Sequence, residues 1–349
     1  MRKLLVLLEG GLLLIGLALA GMGWLQYKAL EQPLKVSEER LIEIPKGATP
    51  RGMLRKLEDD NVLYGSFWLR LYWRFNLSGQ ALHSGEYRVT PGLTARELLS
   101  LWQKGEVVQY NITFVEGWSF HQVRDLLSQQ EKLEQTLAGL SDEEVMARLG
   151  KPDIHPEGRF FPDTYRYVKG MKDIDVLKQS NQRLEQVLAD EWAGRASGIP
   201  YKDSYEALIM ASLVEKETGV PQERAQIAGV FVRRLALNML LQTDPTVIYG
   251  LGDSYKGKLT REHLRQPTAY NTYVNPGLPP TPISMVGREA IHAALHPESG
   301  KSLYFVARGD GTHVFSDDID AHNRAVREFQ LKRRADYRSS PVPLAKESE

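Results

Sequence analysis

YEALIMASLVEKETG, residues 205–219, decides how the rest of the chain is read. Leu208, Ile209, Met210, Ala211, Leu213 and Val214 are apolar around a helical wheel rather than along one stripe, which predicts a helix sunk in a core. Its last turn breaks the pattern. Glu215, Lys216 and Glu217 stand there, and Gly219 with Pro221 beyond supplies the stop. The helix dipole is negative at that end, so a carboxylate is disfavoured by a few tenths to about 1 kcal/mol, and burial adds to this. Both effects favour the protonated form. A glutamic acid held neutral at physiological pH on a rigid helix can protonate a leaving group. Positions two apart on a helix differ by about 200°, so Glu215 and Glu217 cannot both face one cleft. One is the candidate acid and the other its partner. A solvated Glu-Lys-Glu triplet is the commoner arrangement, and these residues by themselves leave it open.

With 349 residues, 42% hydrophobic and 25% charged, the chain has material for a sizeable core and two folded units. Forty-four basic residues balance 44 acidic ones, which gives no electrostatic case for nucleic acid. There is no cysteine, as suits a compartment where stray thiols are a liability, and a cysteine nucleophile is excluded. After Arg2 and Lys3 an apolar run covers residues 4–25, which is 22 residues or about 33 Å as a helix. Basic residues before the run and a large polar remainder after it place the N-terminus in the cytoplasm and the body outside. Glu9 lies inside the run, where it faces a partner or is protonated. Ala18, Leu19, Ala20 and Gly21 would also suit a cleaved signal peptide. Continuation of the run to Trp24 and Leu25 favours a retained single-pass anchor in the inner membrane.

Residues 28–40 read as a polar stalk. Then one plan recurs three times, in residues 42–57, 87–102 and 112–127. Each copy has an alternating strand, a turn glycine (Gly47, Gly92, Gly117), and Thr49, Thr94 or Ser119 capping a helix. Residues 133–149 read as an amphipathic helix. Residues 157–167, EGRFFPDTYRY, crowd Phe160, Phe161, Tyr165 and Tyr167 into a loop, either the wall of a sugar-binding cleft or a buried anchor between helices. Pro221 and Glu223 open another helix. Gln242, Thr243, Asp244 and Thr246 gather around Pro245, and residues 268–283 carry Tyr270, Asn271 and Tyr273 on a proline-stiffened loop. Strands at 302–307 and 312–315 and a helix through His322 and Asn323 close the body, and the tail beyond Arg334 is polar. Residues 252–258 imitate a phosphate loop, but Leu259 stands where a magnesium-binding hydroxyl is required. His292 and His296 have zincin spacing on what reads as a capped surface helix, yet Ala293 replaces the general base.

Taken together, the anchor, EGRFFPDTY, MASLVEKET, LQTDPTVIYG, AYNTY, PGLPP and the terminal His-Asn helix closely resemble the endolytic murein transglycosylases of the MltG/YceG-like family. The strand and capped-helix repeats resemble the LysM-type fold of cell-wall-binding modules. The expected fold is α+β. Residues 1–27 would form the anchor, 28–40 the stalk, 41–115 a small LysM-like unit, 116–334 the catalytic domain and 335–349 the tail. The resemblance implies that Glu217 is catalytic, with Glu215 in support. It places Gln242, Asp244, Thr246, Tyr270, Asn271 and Tyr273 among substrate contacts by motif membership and polarity. No metal or cofactor is implied. The expected partners are peptidoglycan strands, the membrane and peptidoglycan synthases. The implied reaction joins the MurNAc C6 oxygen to C1, leaving a 1,6-anhydro end. A glycan-binding scaffold without catalysis, or a hydrolase leaving reducing ends, are the alternatives.

Overall fold

The repeated strand, glycine and cap are where local sequence dictates local structure most directly in the computed structural model, which describes residues 2–331. The long helix α1 (Arg2–Glu31) comes first. In the first copy, β1 (Arg40–Ile44) leads through Gly47, at φ +78°, to α2 (Pro50–Asp59), whose N-cap Thr49 accepts the Gly52 N–H. After α3 (Phe67–Asn76), the second copy runs from β2 (Gly85–Val89) through Gly92, at φ +89°, to α4 (Ala95–Lys104). The third runs from β3 (Gln109–Thr113) through Gly117, at φ +75°, to α5 (Phe120–Ser128). Thr94 with Glu97 and Ser119 with Gln122 form reciprocal capping boxes, each satisfying two otherwise orphaned backbone donors. The positive φ explains why glycine recurs in the turn.

A fourth copy escapes the Ser/Thr signature. Past α6 (Asp142–Arg148), β4 (Thr164–Val168) turns through Gly170, at φ +78°, into α7 (Asp173–Ala193). Lys172 is the N-cap and offers no side-chain bond. Asp173 instead turns its carboxylate onto the Thr136 and Leu137 N–H groups, both at 3.0 Å. The alternation Tyr165, Tyr167 followed by Gly170 was the available signal.

Two compact units result. The first comprises the chain up to Asn111 with Lys132–Glu134 and Arg166–Met171, and the second the remaining described chain from Ile112. In the first unit β1 and β2 are antiparallel, with Ile42 opposite Tyr87 and Ile44 opposite Gly85. Their inward residues meet Leu54, Leu57, Leu69, Trp73, Leu98 and Trp102 in one core. Residues 28–40 are not a bare stalk. Leu30 and Leu34, 3% and 5% exposed, join that core, and the Leu34 N–H donates to Leu93 O at 2.8 Å. Two apolar residues four apart among polar neighbours carried too little periodicity to be seen.

In the second unit the expected buried helix is α8 (Ser204–Glu217), in which every residue from Ala207 to Val214 is buried. Around it stand α7, α9 (Arg224–Ala236, after a 3-10 turn Pro221–Glu223), α10 (Asp244–Leu251) and α11 (Arg288–Leu295). The histidine-bearing α11 is thus no surface helix: Ala290, Ile291, Ala293, Ala294 and Leu295 are buried, while Arg288, Glu289 and His292 form its exposed side. An antiparallel hairpin, β5 (Tyr304–Ala307) with β6 (His313–Ser316), and α12 (Ile319–Val326) follow. The helix expected over 133–149 is confined to Asp142–Arg148, because Gly139 at φ +74° precedes a new cap at Ser141. The polar tail, 335–349, lies outside the described residues.

Candidate active site

Asp203 starts α8 by accepting the Tyr205 and Glu206 N–H groups, and an extended Thr218 ends it. This fixes Glu217 as the last helical residue and leaves its side chain half-buried. One carboxylate oxygen, Oε1, accepts the Thr243 hydroxyl. Burial pushes the Glu217 carboxyl up to about 7; the Thr243 bond pulls against this, and the charge of Asp244 adds to it. The group therefore sits where it can both give and take a proton at neutral pH.

Thr243 is held from beneath. It is 1% exposed, its N–H donates to Thr272 Oγ1 at 3.1 Å, and its carbonyl accepts Thr246 Oγ1–H at 2.7 Å. Thr246 and Thr272 share a further hydroxyl contact at 2.8 Å. Asp244, exposed at the first position of α10, accepts the Tyr273 hydroxyl at 2.7 Å. Burial, then the Asp244 carboxylate, raise the Tyr273 phenol, so it remains a donor. Gln242 adopts φ +54°; its N–H donates to Thr272 O at 3.1 Å and its Oε1 accepts Arg234 at 3.4 Å. Buried Arg234 also gathers the Leu240 and Leu241 carbonyls, both at 3.0 Å, so the strained entry into α10 is tied down.

Not every expected contact faces the site. Asn271 is fully buried: its Nδ2 donates to the carbonyls of His263, Leu264 and Gln266, and its Oδ1 accepts the Tyr273 N–H at 2.9 Å. Thr246 is likewise fully buried and bonded to threonines. Both were expected to touch substrate; they instead satisfy backbone groups of a loop with no ladder of its own. Tyr270 is half-buried against Tyr249, ring centroids 4.7 Å apart, and its hydroxyl meets Thr281 Oγ1 at 2.9 Å. Gln242, Asp244 and Tyr273 retain exposure near Glu217. Thr243, adjacent to the named motif residues, is the partner that polarity alone did not single out.

Glu215 takes the other side of the turn. It accepts the Gly287 N–H at 3.1 Å and lies near Glu116 and Arg224; burial, then the Glu116 charge, push it up to about 7. Arg224 in turn pairs with Glu289 and approaches Glu116 at 4.0 Å. The two acids of the triplet thus have separate partners.

The aromatic segment 157–167 is the buried anchor rather than a cleft wall. Phe160, Phe161, Tyr165 and Tyr167 are between 0% and 8% exposed, and Phe160 stacks on Phe120 at 5.0 Å. Glu157, 4% exposed, opens it. Its carboxylate accepts the Phe120 N–H at 3.1 Å and the Tyr249 hydroxyl at 3.1 Å, linking the start of α5 to α10. Burial pushes Glu157 up to about 7 against these bonds. The folded state therefore holds a proton that the unfolded chain, at about 4.5, releases; stability is fullest below 4.5 and is lost as pH rises through about 7. A shift of this size corresponds to on the order of 3 kcal/mol. In Glu157→Gln, where the Tyr249 oxygen can accept from the new amide, the fall in melting temperature between pH 4.5 and 7.5 should be shallower than in wild type. Parallel curves would show that folding leaves the proton affinity of Glu157 unchanged.

The model of the YceG-like family matches residues 42–328. A Bacillus subtilis (strain 168) protein named endolytic murein transglycosylase is 29% identical over 333 residues, 88% of this chain and 90% of that protein. A protein of the same name from Streptococcus pneumoniae serotype 2 is 26% identical over 322 residues; the match covers 82% of this chain and 58% of the pneumococcal one. A crystal structure of a yceG-like protein from Listeria monocytogenes is similar at a TM-score of 0.54 and 30% identity, over 83% of this chain and 99% of that one.

Proposed function

We propose that this chain, which belongs to the YceG-like family, is a membrane-anchored lytic transglycosylase that cuts within nascent peptidoglycan strands. The observation that carries the reading is the Glu217 carboxyl, raised to about 7 at the end of a rigid buried helix and fixed through one oxygen by Thr243. With Oε1 so occupied, Oε2 is the oxygen left to meet substrate. Protonated Glu217 donates to the glycosidic oxygen between MurNAc and GlcNAc as the C1–O bond breaks. The N-acetyl group shields the resulting oxocarbenium-like centre. Glu217, now anionic, removes the proton from the MurNAc C6 hydroxyl as that oxygen bonds to C1, which restores the acid and leaves a 1,6-anhydro end. No water is consumed.

One observation favours hydrolysis as the second reading: Asp244 supplies another carboxylate close enough to raise Glu217. Its engagement with the Tyr273 hydroxyl suits a positioning role better than a base. Mass spectrometry of ends released from uncrosslinked glycan separates the two. Anhydro-MurNAc ends are expected, and reducing ends in oxygen-18 water carrying the label would replace this reading by hydrolysis.

The anchor belongs to the same proposal. Leu7–Glu31 is a helix of membrane-spanning length whose apolar side chains over residues 12–25 are exposed. Arg2 and Lys3 favour an N-terminus inside. In the first unit, the order β1–α2–α3–β2 with antiparallel strands supports a LysM-like reading, and with it weak glycan affinity beside the membrane.

A further inference from the structure

The helix α3 is apolar on the side turned away from its core. Leu69 and Trp73, 1% and 8% exposed, point inward. At about 100° per residue, Phe67, Leu71, Phe75 and Trp68 fall together on the opposite side. Phe67 is 60% exposed and Phe75 73%, and the Phe67 and Trp68 rings meet edge-on at 5.1 Å. Arg74, exposed, borders this stripe. A helix that faced water there would carry polar residues, and a contiguous aromatic face marks a surface that something covers.

Its position in the first unit identifies the cover. α3 packs on α1. Along α1, exposure falls at Ala29 and Leu30, directly after the exposed Trp24 and Tyr27 that suit a membrane–water interface. From Trp24 to Leu30 the helix rises only about 9 Å, comparable with the headgroup layer on one side of a bilayer. The place where α1 enters the folded unit is therefore the place where it leaves the lipid. α3 is attached there.

We propose that the exposed face of α3 lies in the outer headgroup–acyl boundary of the bilayer that α1 crosses, with Phe67, Trp68, Leu71 and Phe75 immersed and Arg74 at the phosphates. The inference rests on the anchor reading above. It adds a second point of attachment, which removes the free rotation that a single spanning helix allows and holds the first unit in one orientation on the membrane. A second copy of the chain or a protein partner would cover the same face by a different chemistry.

Because the chain has no cysteine, single cysteines can be spin-labelled one at a time in the full-length protein. The variants are Phe67→Cys, Phe75→Cys, Ile15→Cys within the apolar run and Gln103→Cys at an exposed site of the same unit. In nanodiscs of phosphatidylethanolamine and phosphatidylglycerol, labels at 67 and 75 should be several-fold more accessible to oxygen than to a water-soluble nickel chelate, with the opposite order at 103. Labels at 67 and 75 that behave like 103 overturn the proposal, as does dipolar broadening between labels, which would place a second copy on the face. Lipid-like behaviour at 15 with water-like behaviour at 67 and 75 rejects the docking of α3 while keeping the anchor. Water-like behaviour at all three rejects both, and lipid-like behaviour at 67 and 75 alone supports docking without the anchor.

Discussion

Glu217→Gln should lower the release of anhydro-ended glycan by about three orders of magnitude, because the amide neither gives nor takes the proton at the glycosidic and C6 oxygens. The amide can still accept the Thr243 hydroxyl, so circular dichroism and glycan affinity should match wild type. Its stability carries a sign that tests the same group. The Glu217 carboxyl, raised to about 7, stabilises the fold least when ionised, so wild type loses stability as pH rises from 4.5 through about 7. The glutamine variant has no such proton to lose. It should therefore melt no lower than wild type at pH 8. Substantial product from Glu217→Gln would remove Glu217 from the reaction.

Thr243→Val should cost about 10- to 100-fold in turnover, the range expected for losing a hydrogen bond to a charged or charging group. Valine keeps the shape of a side chain that is 1% exposed, and the backbone bonds of residue 243 to Thr246 and Thr272 remain. What disappears is the bond that favours the ionised form of Glu217. The carboxyl should then rise further, and the alkaline limb of the activity profile should move to higher pH. A role confined to packing would lower the melting temperature and leave that limb in place, so the pH profile of the variant decides between them.

The capped repeats show why part of this fold is legible at once. Thr49, Thr94 and Ser119 act on donors three residues ahead, and Gly47, Gly92 and Gly117 answer a backbone demand at one position. The fourth copy shows the limit of the same logic. Asp173 finds its donors at Thr136 and Leu137, far upstream, so no window of local sequence contains the interaction. Polarity was a poorer guide. Asn271 and Thr246 look like substrate contacts until their partners are known, and then every one of their polar atoms is needed by backbone or neighbouring hydroxyls. The aromatic segment around Phe160 is open to both readings in the sequence, since an aromatic cluster reads alike on a cleft wall and in a core, and burial decides for the core.

By itself the sequence determined that residues 205–217 form a core helix ending in two acids, that these acids diverge, and that the first 25 residues can span a bilayer. Those properties follow from helical periodicity, from the dipole at a helix end and from continuous apolar length, all of which act within a few residues along the chain. Only the tertiary structure decided that Thr243 and Asp244 flank Glu217, that Glu215 turns to Gly287, and that Glu157 is buried between α5 and α10. A carboxyl's proton affinity depends on the water it loses and the donors and charges it gains, and these come from segments tens of residues away that meet it only when the core has packed.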